Sequence, residues 1–344
     1  MVAESGLVRT SEPDLRPVAR DALRQHGVAE DAVLTLVNVS ENVTYRVDDA
    51  TTGERSALRL HRPGYHSLAE IRSELAWLEA VDRDGVVPVP RVLHAADGRA
   101  VVRATAGDRG RYAVRFSWVD GEEPAGDRLA EDFRVLGAVA ACLHRHAAAW
   151  SRPSWFVRLR WDADGILGGV APGHWGRWQD GVGVGTAEAA VLGRLEGELR
   201  RRLAAHGTGP DRFGLVHADM RLANVLVSGP ARTVTLLDFD DCGLGWRLYD
   251  AAAAVSFFEH DPGVPALLNA WVGGYCEVAS LSAQDVAEIP TFVLLRRLLL
   301  VAWLGSHPSA DLAGELGADY TRDACDLAED YLSGRGALSP GGLL

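Results

Sequence analysis

A short motif next to two apolar runs places the strongest constraint on how this chain folds. Residues 217–224 read His-Ala-Asp-Met-Arg-Leu-Ala-Asn, and the apolar runs 224–228 and 233–237 lie on either side of a Gly-Pro turn. Two such runs around a turn predict a β-hairpin. The hairpin would place Asn224 at the start of one strand and Asp238 at the end of the other, on the same side.

The residue types at these positions suit phosphoryl transfer. Asp219 can orient a hydroxyl group and accept its proton, and Asn224 and Asp238 offer the oxygen ligands that Mg²⁺ prefers. A lone His-x-Asp is a weak signal, because many such residues only satisfy the backbone of a loop. The complete pattern, followed by the hairpin and by Asp-Phe-Asp, is specific and favours the catalytic interpretation.

With this motif, the chain resembles the aminoglycoside phosphotransferase family, the small-molecule branch of the protein-kinase-like fold. The segments 40–46 and 57–66 are similar to those of one sub-branch, which holds bacterial stress-response Ser/Thr kinases and type II homoserine kinases. The resemblance runs from near Val33 to near Asp330. It implies an α+β, bilobal fold with an N-terminal antiparallel sheet lobe, one main helix in that lobe, and a larger helical C-terminal lobe.

The order of predicted elements agrees with two lobes. Strands are expected near 33–39, 44–47 and 54–61, and Ser67 with Glu70 forms a capping-box pattern that predicts a helix through Val81. After Asp120-Gly121, every element except the hairpin is predicted to be helical. The expected divisions are a nucleotide lobe (1–117), a hinge (118–122), a helical lobe with the catalytic loop and acceptor pocket (123–335), and a flexible tail (336–344).

Composition narrows the class of protein further. A net charge of −12 argues against general binding of nucleic acid, which needs a basic surface. The four cysteines are far apart, and no signal peptide is visible, so a reduced cytoplasmic protein is expected. The most apolar stretch, 291–304, is interrupted by Arg296-Arg297 and is too short and too charged to span a bilayer. The sequence leaves the oligomeric state open.

The resemblance assigns a nucleotide site for ATP to the N-terminal lobe. The turn 39–43 stands where kinases cover the phosphates, but it lacks glycine, so a hydroxyl or amide side chain would help. Adenine would contact backbone groups near the connector. The residues expected at this site are Ser40, Asn42, Arg59, Glu74, Ser117 and Val119.

Arg59 departs from the usual pattern of this fold. It occupies the third-strand position where kinases place a phosphate-binding Lys, in a chain whose 35 basic residues are all arginine. A guanidinium offers a planar fork of donors suited to phosphate, but arginine is longer than lysine and the two are not interchangeable. Glu74 is the expected partner of Arg59, preferred over Glu70 because it aligns with the family's helix glutamate. The alternative is an arginine on an exposed strand face.

The transfer site is predicted in the C-terminal lobe. Asp219 is the expected base, Arg221 the cation that neutralises the migrating phosphoryl group, and His217 a brace for the loop, while Asn224 and Asp238 hold the metal. Asp250 resembles a family aspartate that anchors the loop through backbone hydrogen bonds.

Other residues of this lobe carry weaker signals. Asp240 and Asp241 could shape the metal or acceptor site or cap a turn, and Glu259, His260 and Asp261 are acceptor-pocket candidates. The tryptophans of the Gly-rich insertion 151–185 are expected to pack in a core or lid. His144 and His146 point to different helix faces, which argues against a metal site.

These observations predict an ATP- and Mg²⁺-dependent phosphotransferase that acts on a hydroxyl by direct in-line transfer. The expected acceptor is a small polar metabolite or an aminoglycoside-like compound. A Ser/Thr protein kinase is one alternative. A nucleotide-binding pseudokinase is the other, suggested by the missing loop glycines and by Arg59, although the retention of Asp219, Asn224 and Asp238 argues against it.

Overall fold

The computed structural model describes residues 14–39, 42–308 and 311–343. Its chain forms two compact units. The first comprises the residues up to Asp82, Pro90–Val119 and Pro153–Val157, and the second comprises Arg83–Val89, Asp120–Arg152 and the chain from Arg158 onward. The chain passes from the first unit to the second after Val119, within the predicted hinge. Two short segments differ from the predicted division, because residues 83–89 belong to the second unit and residues 153–157 to the first. The lobe boundaries remain a prediction.

The first unit is an antiparallel sheet with two helices. The strands follow the order β1-β2-β3-β6-β4, and β5 pairs with the far end of β6. The alternation of apolar and polar residues in β2 matches a strand with one buried face. The elements are α1 (Arg16–Gln25), β1 (Val33–Val39), β2 (Val43–Asp49), β3 (Glu54–Leu60), α2 (Leu68–Arg83), β4 (Val92–Leu93), β5 (Val102–Ala106) and β6 (Arg109–Ser117).

The register of β3 on β6 decides which side chains share a face of the sheet. Leu58 pairs with Arg115, and Arg59 pairs with Val114. Since paired residues point to the same face and successive residues alternate, Arg59 and Arg115 lie on opposite faces. Leu58 belongs to the buried cluster that α1 contributes to, so the face of Arg59 is the other one.

Helix α2 begins where the capping box predicts. The backbone N–H of Ser67 donates to Glu70 Oε2 over 2.8 Å, and the N–H of Glu70 donates to Ser67 Oγ over 3.2 Å. These bonds satisfy donors that the first helical turn would otherwise leave unpaired. The capping-box prediction is confirmed.

The second unit is mainly helical. One helix, α8, is long and apolar enough to cross a membrane, but 89% of its most apolar window is buried inside the protein, as in a core helix. The C-terminal tail contributes buried Leu338 and Leu343 to this unit. The helices are α3 (Leu129–Ala149), α4 (Ala163–Leu167), α5 (Thr186–His206), α6 (Tyr249–Ala254), α7 (Val264–Cys276), α8 (Ala283–Ser306) and α9 (Asp311–Ser333).

The second unit also contains more β-structure than the sequence predicts. The predicted hairpin is present as β9 (Val225–Ser228) and β10 (Thr233–Leu236). A three-stranded sheet was not predicted, and the expectation of helix everywhere outside the hairpin is wrong. Its order is β7-β11-β8, from β7 (Leu159–Trp161), β8 (Phe213–Val216) and β11 (Gly243–Trp246). The α+β class is confirmed.

Two glycines allow α3 and α7 to pack closely. A methyl group at Gly274 would overlap the carbonyl oxygen of Arg134, and one at Gly137 would overlap that of Trp271. Only a residue without Cβ lets the two backbones approach this far. The neighbouring Gly273 is exposed, and a methyl group there would meet nothing within 4 Å.

These adjacent glycines make a matched pair for a stability test. Gly274→Ala should lower the free energy of unfolding by about 1–3 kcal/mol, because the helices must separate. Gly273→Ala should raise it by up to about 1 kcal/mol, because alanine favours the helix. Urea unfolding followed by tryptophan fluorescence measures both. Equal changes in the two variants would show that α3 and α7 do not pack through Gly274.

Candidate active site

The catalytic loop begins at His217, directly after β8, and a buried carboxylate fixes its backbone. Asp250, in the first turn of α6, accepts the N–H of Ala218 over 2.7 Å and the N–H of His217 over 3.2 Å. Ala218 has a φ of 68°, a conformation that costs a non-glycine residue free energy. The two bonds to Asp250 offset that cost. His144 Nε2 lies 2.8 Å from the same carboxylate and braces it in turn.

His217 is a brace within the loop. Its Nε2 lies 3.0 Å from the carbonyl oxygen of Leu237, and its Nδ1 lies 3.3 Å from the backbone nitrogen of Asp219. One neutral tautomer satisfies both contacts, with Nε2 as the donor and Nδ1 as the acceptor. The ring is fully buried, so both nitrogens serve the loop and the hairpin.

Asp219 is a buried anion with three compensating donors. Its Oδ1 accepts from Arg296 Nη2 over 2.5 Å, and its Oδ2 accepts from Asn224 Nδ2 over 2.7 Å and from Arg221 Nε over 3.2 Å. Burial favours the protonated form, but the nearby guanidinium groups outweigh that effect and hold the pKa of Asp219 below its usual range. Asp219 is therefore a carboxylate at neutral pH, as a proton acceptor must be.

The hairpin brings the two predicted metal ligands to one end. Leu236 pairs with Val225, and the N–H of Leu237 donates to the carbonyl oxygen of Asn224 over 2.9 Å, so Asn224 and Asp238 flank the open end. The amide nitrogen of Asn224 donates to the backbone and side-chain oxygens of Asp219, so its Oδ1 would be the atom that binds a metal ion. One carboxylate and one amide oxygen fit Mg²⁺, which completes its shell with water and phosphate.

This pair does not by itself form a complete metal site. Within the described part of the chain, no group of three or more His, Cys, Asp or Glu side chains could hold a metal ion. The metal-binding role of Asn224 and Asp238 therefore stays a prediction.

The turn after Asp238 is held by residues from the insertion. Arg158 donates to the backbone carbonyl oxygens of Asp240 and of Cys242, the latter over 2.6 Å. Trp161 Nε1 donates to the carbonyl oxygen of Asp241 over 2.7 Å. The turn begins at Asp238, which has a φ of 55° in the left-handed region. The bonds from Arg158 and Trp161 hold the turn in this conformation. The insertion thus supports the position of a candidate metal ligand.

In the first unit, Arg59 and Glu74 form the expected contact. Arg59 Nη2 donates to Glu74 Oε1 over 2.5 Å, and the two side chains are only 6% and 0% exposed. The guanidinium also lies 5.1 Å from the ring centroid of Phe116. These contacts argue against the alternative of an exposed strand arginine, while the phosphate-binding role of Arg59 stays a prediction.

The other residues predicted to contact the nucleotide are Asn42, Ser117, Val119 and Ser40. Asn42 is buried, and its Oδ1 accepts the backbone N–H of Arg62 over 3.1 Å. The N–H of Ser117 donates to the carbonyl oxygen of Arg91 over 2.8 Å, so adenine would have to use the carbonyl of Ser117 or the backbone of Val119. Ser40 lies outside the described residues. The roles of these four residues remain predictions.

Comparison with known proteins decides the family. The model of the phosphotransferase enzyme family APH matches residues 34–287, which is more than half of the chain. The chain belongs to the APH phosphotransferase family. An uncharacterized protein of Deinococcus radiodurans is 30% identical over 320 residues, which cover 91% of this chain and 88% of that protein.

Solved structures agree with this family. The structure of a microcompartment-associated aminopropanol kinase is 47% identical, has a TM-score of 0.86, and covers 94% of this chain and 99% of that chain. The amicoumacin kinase hAmiN, in complex with AMP-PNP, Ca²⁺ and Ami, is 20% identical with a TM-score of 0.75, over 95% of this chain and 96% of that chain. The protein-kinase-like fold is therefore confirmed, and the chain is a phosphotransferase of the APH family.

The structure adds one residue to this APH site that the sequence reasoning missed. Arg296 was noted only because it interrupts an apolar run, yet it contacts Asp219 from 77 residues away. A signal was present, because a charged residue within an apolar helix is buried only when it has a partner. The identity of that partner could not be read from spacing.

Some of the weaker candidates are buried, whereas His260 and Asp261 are exposed. Glu259 is buried and binds Arg297 and Tyr320, so it contributes to internal packing. Trp161, Trp175 and Trp178 are also buried, whereas Trp155 is 54% exposed. The expectation of core packing therefore holds for three of the four tryptophans.

Variants of Arg59 test whether this residue contacts the nucleotide. Arg59→Ala should lower kcat/KM for ATP by at least about tenfold, as expected for a lost charged hydrogen bond. Arg59→Lys should recover part of that loss, because it restores the charge without the fork. Steady-state kinetics with varied ATP gives these values.

Arg115→Ala is the matched control. Arg115 is also buried, pairs with Glu54 and Ser56, and lies on the opposite face of the sheet. Both alanine variants should lose stability, because each removes the hydrogen bonds of a buried guanidinium and the packing of its side chain. Only Arg59→Ala should lower kcat/KM for ATP. A similar kinetic loss in both would make Arg59 a structural residue alone.

Proposed function

We propose that this protein transfers the γ-phosphoryl group of ATP, with Mg²⁺, to the hydroxyl group of a small amino alcohol. The observation that supports the reaction is the buried Asp219 carboxylate, held ionised by Arg296 and Arg221 beside Asn224. The acceptor class is supported by the 47% identity to an aminopropanol kinase over 94% of this chain.

The chemistry assigns a separate task to each loop residue. The hydroxyl hydrogen of the acceptor binds to Asp219, which orients the oxygen for attack and takes the proton as the new phosphorus–oxygen bond forms. The bond between the γ-phosphorus and the bridging oxygen breaks, and ADP leaves. Arg221 supplies positive charge as the phosphoryl group moves.

Metal and nucleotide binding use other side chains. Asn224 and Asp238 would hold Mg²⁺, which neutralises phosphate charge when bound. Arg59, oriented by Glu74, would donate to the nucleotide phosphates through its guanidinium. Glu74 therefore has the task of presenting Arg59, and the ATP contact belongs to Arg59.

The charge of the protein favours a cationic acceptor. The chain carries a net charge of −12, and Asp240 and Asp241 follow the candidate metal ligand Asp238 in the turn after the hairpin. A negative field raises the local concentration of a small ammonium compound. The same charge is unfavourable for nucleic acid. Together with four free cysteines, it supports a cytoplasmic enzyme with a small-molecule partner, away from membranes.

A pair of acceptors that differ in one group tests the proposal. ADP release should be measured with aminopropanol and with the diol that carries a hydroxyl in place of the amino group. If the ammonium is bound by a charged partner, kcat/KM for aminopropanol should exceed that for the diol by at least about thirtyfold. A homoserine, an aminoglycoside and a protein substrate complete the panel.

Two variants show whether turnover belongs to this site. Asp219→Asn should lower kcat at least about a hundredfold with nearly unchanged ATP binding. Asp238→Ala should abolish the Mg²⁺ dependence of ATP binding. Turnover confined to the protein substrate would contradict the small-molecule acceptor. ATP binding without turnover on any acceptor would instead identify a pseudokinase.

A further inference from the structure

Helix α8 buries two consecutive arginines. Arg296 and Arg297 are at most 1% exposed, within a run of buried apolar residues from Phe292 to Leu304. A buried guanidinium is costly unless charges and hydrogen bonds compensate it, so each arginine needs partners. Adjacent helical residues point in different directions, and the two side chains reach different parts of the second unit.

Arg296 reaches the catalytic loop. Its Nη2 donates to Asp219 Oδ1 over 2.5 Å, and its Nη1 lies 3.3 Å from the carbonyl oxygen of Ala218. Its Nε donates to Ser256 Oγ and its Nη1 to Tyr249 Oη, each over 3.2 Å. One guanidinium therefore holds both the side chain of Asp219 and the backbone immediately before it.

The aromatic neighbours of Arg296 restrict its orientation further. The guanidinium carbon lies 4.9 Å from the ring centroid of Trp175 and 5.6 Å from that of Tyr249. Rings at these distances attract a cation and limit its movement. Since Trp175 lies in the insertion, this segment contributes indirectly to the position of Asp219.

The bonds to the two oxygens of Asp219 differ in number. Oδ2 accepts from Asn224 and from Arg221, which uses both of its lone pairs, whereas Oδ1 accepts from Arg296. A carboxylate oxygen offers two acceptor positions. Among the described residues, Arg296 is the one donor to Oδ1, so the second acceptor position of this oxygen can receive the hydroxyl hydrogen of the acceptor.

We infer that Arg296 is a positioning residue that fixes the Asp219 carboxylate so that Oδ1 meets the acceptor hydroxyl. The inference rests on the proposed function, since it describes the same transfer. The hydroxyl proton passes to Oδ1 while its oxygen bonds to phosphorus, and ADP leaves. Displacement of the carboxylate by about 1 Å would reduce turnover by about a hundredfold.

Arg297 supplies a matched control, because it is equally buried but serves another contact. Its Nη1 donates to Glu259 Oε2 over 2.6 Å, and its Nη2 donates to the carbonyl oxygen of Tyr320 over 2.7 Å. Its guanidinium lies on the ring of Tyr320. These contacts join α8 to α9 and to the segment between α6 and α7, and they involve neither Asp219 nor Ala218.

The test is a double-mutant cycle on Arg296 and Asp219. Arg296→Met should lower kcat for the amino alcohol about a hundredfold, with KM for ATP changed less than about threefold. If Arg296 acts through Asp219, adding Arg296→Met to the Asp219→Asn variant should lower kcat little further. Losses that multiply in the double variant would overturn the inference, because Arg296 would then act independently.

If Arg296→Met does not fold, the two conservative variants Arg296→Lys and Arg297→Lys test the inference instead. Lysine keeps the charge but lacks the fork that holds two acceptors at once. Arg296→Lys should lower kcat at least about tenfold, and Arg297→Lys should leave kcat within about threefold of the parent. Equal losses in the two lysine variants would overturn the inference. A parent without turnover would instead overturn the proposed function itself.

Discussion

The negative charge of the buried Asp219 is the constraint on which the rest of the site depends. A carboxylate that is only 8% exposed costs several kcal/mol to bury unless donors replace the lost water. The donors come from three elements: Arg221 from the loop, Asn224 from the start of the hairpin and Arg296 from α8. The negative charge of Asp219 therefore connects these three elements.

The sequence predicts those parts of the site whose residues are close in the chain or repeat with a regular period. The hairpin and the capping box of α2 are of this kind, because spacing determines their geometry. The Arg59–Glu74 contact follows instead from the resemblance to the family, in which a helix glutamate aligns with Glu74. The sheet β7-β11-β8 escaped prediction because its strands have only three or four residues and β11 contains two glycines. Arg296 escaped because its contact with Asp219 depends on how helices pack.

The reaction and the acceptor are determined by different parts of the molecule. The loop and hairpin carry the features expected for phosphoryl transfer, and the fold is shared with the amicoumacin kinase at only 20% identity. A fold alone does not specify a substrate. The choice of acceptor therefore depends on residues outside the motif. The insertion supports the loop and the turn, since Trp175 contacts Arg296 and Trp161 donates to the carbonyl oxygen of Asp241.

In the proposed reaction, Asp219 directs the acceptor hydroxyl onto the γ-phosphorus in one step, without a phosphorylated enzyme. Transfer from ATP made chiral at the γ-phosphorus with oxygen isotopes tests this claim most directly. One in-line displacement inverts the configuration at phosphorus, so the account predicts an amino alcohol phosphate of inverted configuration. Retention would show two displacements through a covalent intermediate and would contradict the role given to Asp219.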